Sequence, residues 1–334
     1  MGNTTKTPLV SSEISGIWNS YMGENLVMQL LKYFYNRVDD NEIRDILQHS
    51  LNLSNERIKI LTNLFNEERL PLPEGFSDND IDVNAPRLFT DALYLQYIIY
   101  KARAAIRSYS VILNRITRAD IRDYFSKCIE ESIDLCNKSA ELSLSKGIFI
   151  KAPHVEVSKE IQYIKSKSFI LDSFGKKRGL LTDEISHIFS ITNDTMIRKA
   201  LLIGFGQVCE DRKISNYISK VIALATKQHN DLTSLLIDEG IPIGSSSDSY
   251  VTDSTVSPFS HKFMLSKIFI MYRIKIGSIG MALADIMRSD LKTIYMKHLN
   301  ENIEYSKDGV DIMIDNKWLE QPPQAINHKN LAKV

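Results

Sequence analysis

The chain has 334 residues, 43% hydrophobic and 25% charged, with 14 Gly and 9 Pro: the composition of a folded globular protein long enough for two ordinary domains. Forty-one basic residues balance forty-one acidic ones, so no overall field gathers nucleic acid or an anionic membrane surface, and nucleic acid is not an expected partner. Cys128, Cys136 and Cys209 form no Cys-x-x-Cys pair; they read as small apolar side chains of a reducing, cytoplasmic setting.

The opening "MGNTTKTPLV" lacks the apolar core of a signal peptide, and Lys6 stands where a myristoylation motif wants Ser or Thr, so residues 1–8 are expected to be a flexible tail. A first helix is predicted from Ser12 to Val38, with Ser11 or Ser12 as N-cap and a stripe through Ile14, Ile17, Trp18, Tyr21, Met28, Leu31 and Tyr35. A second carries Ile43, Leu47, Ser50, Ile58, Leu61 and Phe65 and stops before Pro71. The third is expected just after Pro86, through Phe89, Leu93, Ile99, Ile106 and Leu113. The fourth carries Ile121, Phe125, Cys128, Leu135 and Leu142 and ends at Gly147.

The same order then returns. "LVSSEISGIW" (Leu9 to Trp18) is echoed by "LLTDEISHIF" (Leu180 to Phe189), and Glu13, Phe34, Leu53 and Pro71 match Glu184, Phe205, Leu224 and Pro242 at a constant spacing of 171. Beyond the second helix the spacing becomes 170, matching Phe89, Arg103, Arg118 and Glu131 with Phe259, Arg273, Arg288 and Glu301. Such register is the mark of internal duplication. The expected architecture is all-α: a four-helix bundle over residues 9–147, a partly helical joining segment over 148–179, a second bundle over 180–325, and a flexible tail over 326–334.

Within each half, short links make helices one and two, and three and four, antiparallel hairpins. Helices two and three are separated by "LPLPEGFSDNDIDVNAP" or "IPIGSSSDSYVTDSTVSP". Extended, such a segment reaches roughly 55 Å, longer than the roughly 40 Å of the helices, so it can cross the whole bundle and make helices two and three parallel, the ferritin-like arrangement; a simple up-down bundle is the alternative. In the joining segment, Ile161, Ile164, Phe169, Ile170 and Phe174 form an amphipathic pattern expected to pack along both bundles. The most apolar stretch, Ile268 to Met287, contains Arg273, Lys275 and Asp285 and reads as a core helix, not a membrane span.

The segments "VNAPRLFTDALYL" (Val83 to Leu95), "VTDSTVSPFS" (Val251 to Ser260) and "DGVDIMIDNKWLEQPPQA" (Asp308 to Ala325) resemble a family of unknown function from spore-forming Gram-positive bacteria with two ferritin-like halves per chain. A looser likeness is to coat-F type spore coat proteins. The resemblance implies the fold and a spore-associated setting, with spore coat components or further copies of the chain as partners; it transfers no catalytic residue.

A di-iron bundle needs Glu-x-x-His on two helices and a glutamate on each of the others. Only Glu184-x-x-His187 has that spacing, and Gly16 replaces the histidine in the first half, so the repeat reads as a capped first turn. Arg103 and Glu131, with Arg273 and Glu301, are expected as interhelical ion pairs in the core, filling the space where related bundles hold metal; the alternative is that these long side chains reach out at the stripe edge and never meet. His229, His298 and Glu301 are the residues on which iron, manganese or zinc would be sought, although no cofactor is expected. "GFGQV" at Gly204 sits inside a helix and is no phosphate loop, and no serine or cysteine sits in a nucleophile's setting. Tyr94, Tyr97 and Tyr100 read as core. The reading is of a structural or assembly protein rather than an enzyme; the alternatives are a ferritin-like metal-binding protein or oxidoreductase with its site in the second half, and a ligand-binding protein with an apolar cavity between halves.

Overall fold

The structure, a computed structural model, describes residues 7–170, 178–242 and 248–326. Its elements are α1 Ser11–Arg37, α2 Asn41–Glu67, α3 Asp91–Leu113, α4 Ala119–Ser145, α5 Thr182–Val208, α6 Arg212–Asp238, α7 His261–Asp285 and α8 Ser289–Asp315. Among the described residues the remaining regular structure is three short 3₁₀ turns and two isolated β-bridges. The chain is all-α, in two repeated halves of four helices.

Matched positions start and stop the helices. Asp40 caps α2 by accepting from the Glu42 and Ile43 N–H groups, and Asp211 caps α6 by accepting from Ile214 N–H. The turns after α2 and α6 place Arg69 (φ 55°) and Gly240 (φ 68°) in the left-handed region; those after α4 and α8 do the same with Gly147 (φ 69°) and Lys317 (φ 58°). The α1 start departs from the sequence expectation: Val10, not a serine, is the N-cap, and its backbone N–H donates to Glu13. Helix α3 begins at Asp91, leaving Phe89 in the crossover, because the Phe89 backbone bridges to Val251 instead.

The bundle ends fix the topology. At one end Lys146, just after α4, meets Asp40 at 2.6 Å, and the Asp40 N–H donates to Asp91 at 2.9 Å, so α2 and α3 both begin there. At the other end Arg118, before α4, meets Glu68, after α2, at 2.7 Å. Helices α2 and α3 therefore run parallel, and the segment 68–90 crosses the length of the bundle. In the second half Arg288 and Glu239 make the matching contact at 3.0 Å; part of that crossover, residues 243–247, lies outside the described residues.

The two crossovers pair across a pseudo-twofold axis. Ile81 bridges Phe259 and Phe89 bridges Val251, with backbone bonds from Asp82 to Pro258 and from Thr252 to Leu88, each the other's counterpart 170 positions on. Beneath them a single core runs through both halves: Phe259 packs edge-on against Tyr33 at 5.2 Å and Phe205 at 5.4 Å and stacks on Phe263 at 4.9 Å. Smaller apolar clusters close the distal ends, around Ile17 and Phe125 in the first half and Ile188 and Tyr295 in the second. After α8, Glu320 returns to the first half and accepts from the Glu74 and Gly75 N–H groups at 2.9 and 2.7 Å.

The joining segment differs from expectation. Its described part holds one 3₁₀ turn, Lys167–Phe169, and Ile161 and Ile164 are 87% and 53% exposed, so they pack against neither bundle. Two residues between charged and polar neighbours give too short an apolar face to hold a helix without tertiary support. Phe174 lies outside the described residues.

Candidate functional site

The centre of the first bundle is a buried charge network. The inner stripe of α2, Ile43, Leu47, Ser50, Ser54, Arg57, Leu61 and Phe65, is buried throughout and turns polar in its middle. Arg57, 3% exposed, donates to Glu24 of α1 at 2.8 Å and to Glu131 of α4 at 3.1 Å, and also to the Cys128 carbonyl and Ser132 hydroxyl. The Glu24 carboxylate accepts further from Ser54 at 2.7 Å and from Tyr109 of α3. Lys101, also on α3, donates to Ser50 at 2.9 Å. Burial works to raise the Glu24 pKa, but Arg57, then Lys101 and the two hydroxyls, outweigh it and hold the value at about 2. Burial lowers Lys101 to about 8 despite Glu24.

The expected Arg103–Glu131 and Arg273–Glu301 pairs do not form. Glu131 takes Arg57, while Arg103 lies over the Phe149 ring, 6.0 Å from its centroid. Arg273 is exposed and donates to Asn19 of the first half at 3.1 Å, while Glu301 accepts from Lys227 and from Gln228 at 2.5 and 2.9 Å. The mid-bundle Arg–Glu pair forms in the first half with a different arginine, and Gln228 stands at the position matching Arg57.

The histidines take separate partners. His298, 1% exposed, bonds Asp231 at 3.0 Å, and burial pushes its pKa down. His229 Nδ1 is buried without a hydrogen-bond partner, and burial lowers that imidazole as well. With Glu301 turned to Lys227, the three residues do not converge, and no group of three or more His, Cys, Asp or Glu side chains gathers for a metal ion among the described residues. His187 of the Glu-x-x-His motif bonds Asp285 at 3.0 Å instead.

The repeated glutamates are anchors. Glu13 is 1% exposed and accepts from the Thr117 and Arg118 N–H groups at 2.9 and 2.7 Å. Glu184 accepts likewise from Met287 and Arg288, and adds Arg178 at 2.8 Å. Each thus ties the first turn of its half to the start of its last helix. Burial would raise both carboxyls, but these bonds bring them below the usual range. Gly204 of "GFGQV" is a packing residue: a Cβ there would meet the Phe89 ring at 2.3 Å.

None of the helices among the described residues is long and apolar enough to cross a membrane. Comparison with curated proteins finds no match. A search of solved structures returns the crystal structure of a protein provisionally described as a spore coat protein, from Bacillus halodurans C-125. It is 20% identical, has a TM-score of 0.41, and covers 45% of this chain and 98% of its own. The model of DUF3231, a family described as proteins of unknown function, matches residues 1–161 and again 168–331, and the chain belongs to that family.

Proposed function

We propose that the protein is a non-catalytic helical assembly protein, a tandem of two ferritin-like bundles that works by associating with further copies of itself in a spore- or stress-related structure. The observation that carries this reading is a duplicated apolar surface. Ile133 and Leu144 on the outer face of α4 are 44% and 46% exposed, and their counterparts 170 positions on, Ile303 and Ile314 of α8, are 50% and 57% exposed. Two such equivalent faces on one chain suit like-to-like contacts that join copies end to end. In addition, the mid-bundle space where ferritin-like enzymes gather metal-binding carboxylates is occupied in the first half by the Glu24–Arg57–Glu131 network. The spore setting rests on the resemblance of the three sequence segments.

Sedimentation velocity over a wide concentration range tests the reading: oligomers are expected to grow with concentration and to be lost in Ile133→Lys/Ile303→Lys. A monomer at every concentration would overturn it. The rival, a metal centre in the second half, would have to draw on buried His298 and the free Nδ1 of His229 although His298 bonds Asp231 and Glu301 is turned to Lys227. Elemental analysis of protein made in metal-rich medium decides it, and less than about a tenth of an equivalent ends that case.

A further inference from the structure

The middle of the second bundle lacks the carboxylate around which the first is built. Glu24 serves Arg57 and Lys101; 171 positions on stands Thr195, which carries no charge. Two cations nonetheless surround it: Arg198, one turn further along α5, and Lys275 on α7, 5% and 6% exposed. Arg198 donates to the Thr195 hydroxyl at 2.7 Å, and Lys275 to the Gln228 side-chain carbonyl. Both hydrogen-bonding partners are neutral. Of the nearby carboxylates, Asp194 feels the charge of Arg198 most strongly and lies 3.6 Å from Arg107 of the first half, while Glu301 accepts from Lys227. Burial, with Arg198 adding to it, drives the Lys275 pKa well below the ordinary lysine range, and Glu301 does not restore it.

Beside these cations lies a cavity of about 30 Å³, lined by all four helices of the half. No lining residue is more than 8% exposed. That is room for two or three waters or one small ion. Two polar atoms in its wall, the Tyr272 hydroxyl and Asn302 Oδ1, are buried with no hydrogen-bond partner. A buried hydroxyl in that state needs an acceptor, and a buried guanidinium next to a desolvated amine favours a further negative group in the space between them. The rest of the lining is apolar apart from Thr195.

We propose that the second bundle binds a small carboxylate, of formate or acetate size, in this cavity. The bound carboxylate stands with Arg198, Lys275 and the Tyr272 hydroxyl as Glu24 stands with Arg57, Lys101 and the Tyr109 hydroxyl. A planar pair of acceptor oxygens matches the guanidinium fork, and the apolar wall accommodates a methyl group. The first half is the built-in control, because there the chain supplies the same group from the Glu24 side chain. The inference is independent of self-association.

The test is calorimetric titration of the full chain with sodium formate and sodium acetate, in chloride buffer at constant ionic strength. Wild type is expected to bind one equivalent saturably. Arg198→Met removes one charge-assisted donor and is expected to weaken binding at least about tenfold. Thr195→Glu supplies the carboxylate in place and is expected to abolish binding while raising the unfolding temperature in carboxylate-free buffer. Absence of saturable binding by wild type, equal affinity for chloride, or undiminished binding by Thr195→Glu would each overturn the proposal.

Discussion

Replacing Glu24 by Gln removes the central charge of the first bundle while keeping its volume. A carboxyl that titrates near 4.5 in the unfolded chain and at about 2 in the folded one contributes about 3 kcal/mol at neutral pH. Because the folded value is depressed, that stability is fully present above pH 4.5 and is lost as pH falls towards 2. The variant leaves Lys101 with hydroxyl partners alone, while Arg57 keeps Glu131, whose side chain is 24% exposed. With one partner retained, the cost belongs at the lower end of the range for breaking a buried pair, about 3 kcal/mol, or roughly 6 °C in Tm. Urea unfolding of both proteins from pH 7 to pH 3 measures it. The gap is expected to shrink to about half or less at pH 3. Glu24→Gln/Lys101→Met is expected to recover part of the loss, since the unpaired cation goes with its partner. A loss under about 1 kcal/mol at pH 7, or one that does not change with pH, would refute the reasoning.

Two further outcomes follow from positions where the halves differ. His298 is held neutral by burial while the unfolded imidazole protonates below about pH 6.5, so it removes stability as pH falls through that value. His298→Cys, which copies Cys128 of the first half, is expected to flatten the fall in stability between about pH 6.5 and 5, and equal slopes in urea unfolding at stepped pH would refute this. Arg69 and Lys317 occupy left-handed positions that their counterparts Gly240 and Gly147 fill without a Cβ. Arg69→Gly and Lys317→Gly are each expected to raise stability by up to about 1 kcal/mol in thermal unfolding, and a loss in both would show that the side chains do more than tolerate the turn.

The helices and the duplication were legible because each depends on one stretch of chain at a time: a stripe repeats every turn, and a copy keeps its register. The ion pairs were not, for a reason visible in α3. Leu93 through Ala102 are ten consecutive buried residues, because this helix packs on its own bundle and on the other half at once. A helix buried on all sides has no single stripe, so placing Arg103 on the face of Ile99 and Ile106 said nothing about where it points. Arg57 was within reach. It continues the strict spacing of Ile43, Leu47, Ser50 and Ser54, and an arginine at such a position must be paired across the bundle. The pairing of Arg198 with Lys275 had no comparable signal, since neither residue has a charged counterpart in the first half.

The three segments that carry the family resemblance all meet where the halves join. Val83 to Leu95 and Val251 to Ser260 contribute Phe89, Thr90, Val251 and Phe259 to the paired crossovers, and Asp308 to Ala325 contributes Glu320, which closes over Glu74 and Gly75. All of these residues satisfy backbone groups that a lone four-helix unit would leave open along its crossover. Sequence identity there reports how two bundles are fastened together, and says little about what either contains. The contents diverge at the bundle centres. Glu24, Arg57 and Lys101 become Thr195, Gln228 and Met271, while Arg198 and Lys275 arise where the first half has Val27 and Ala105. A duplicated chain that keeps its seam while rearranging the charges of one core preserves how its halves are fastened and changes only what that core can pair with.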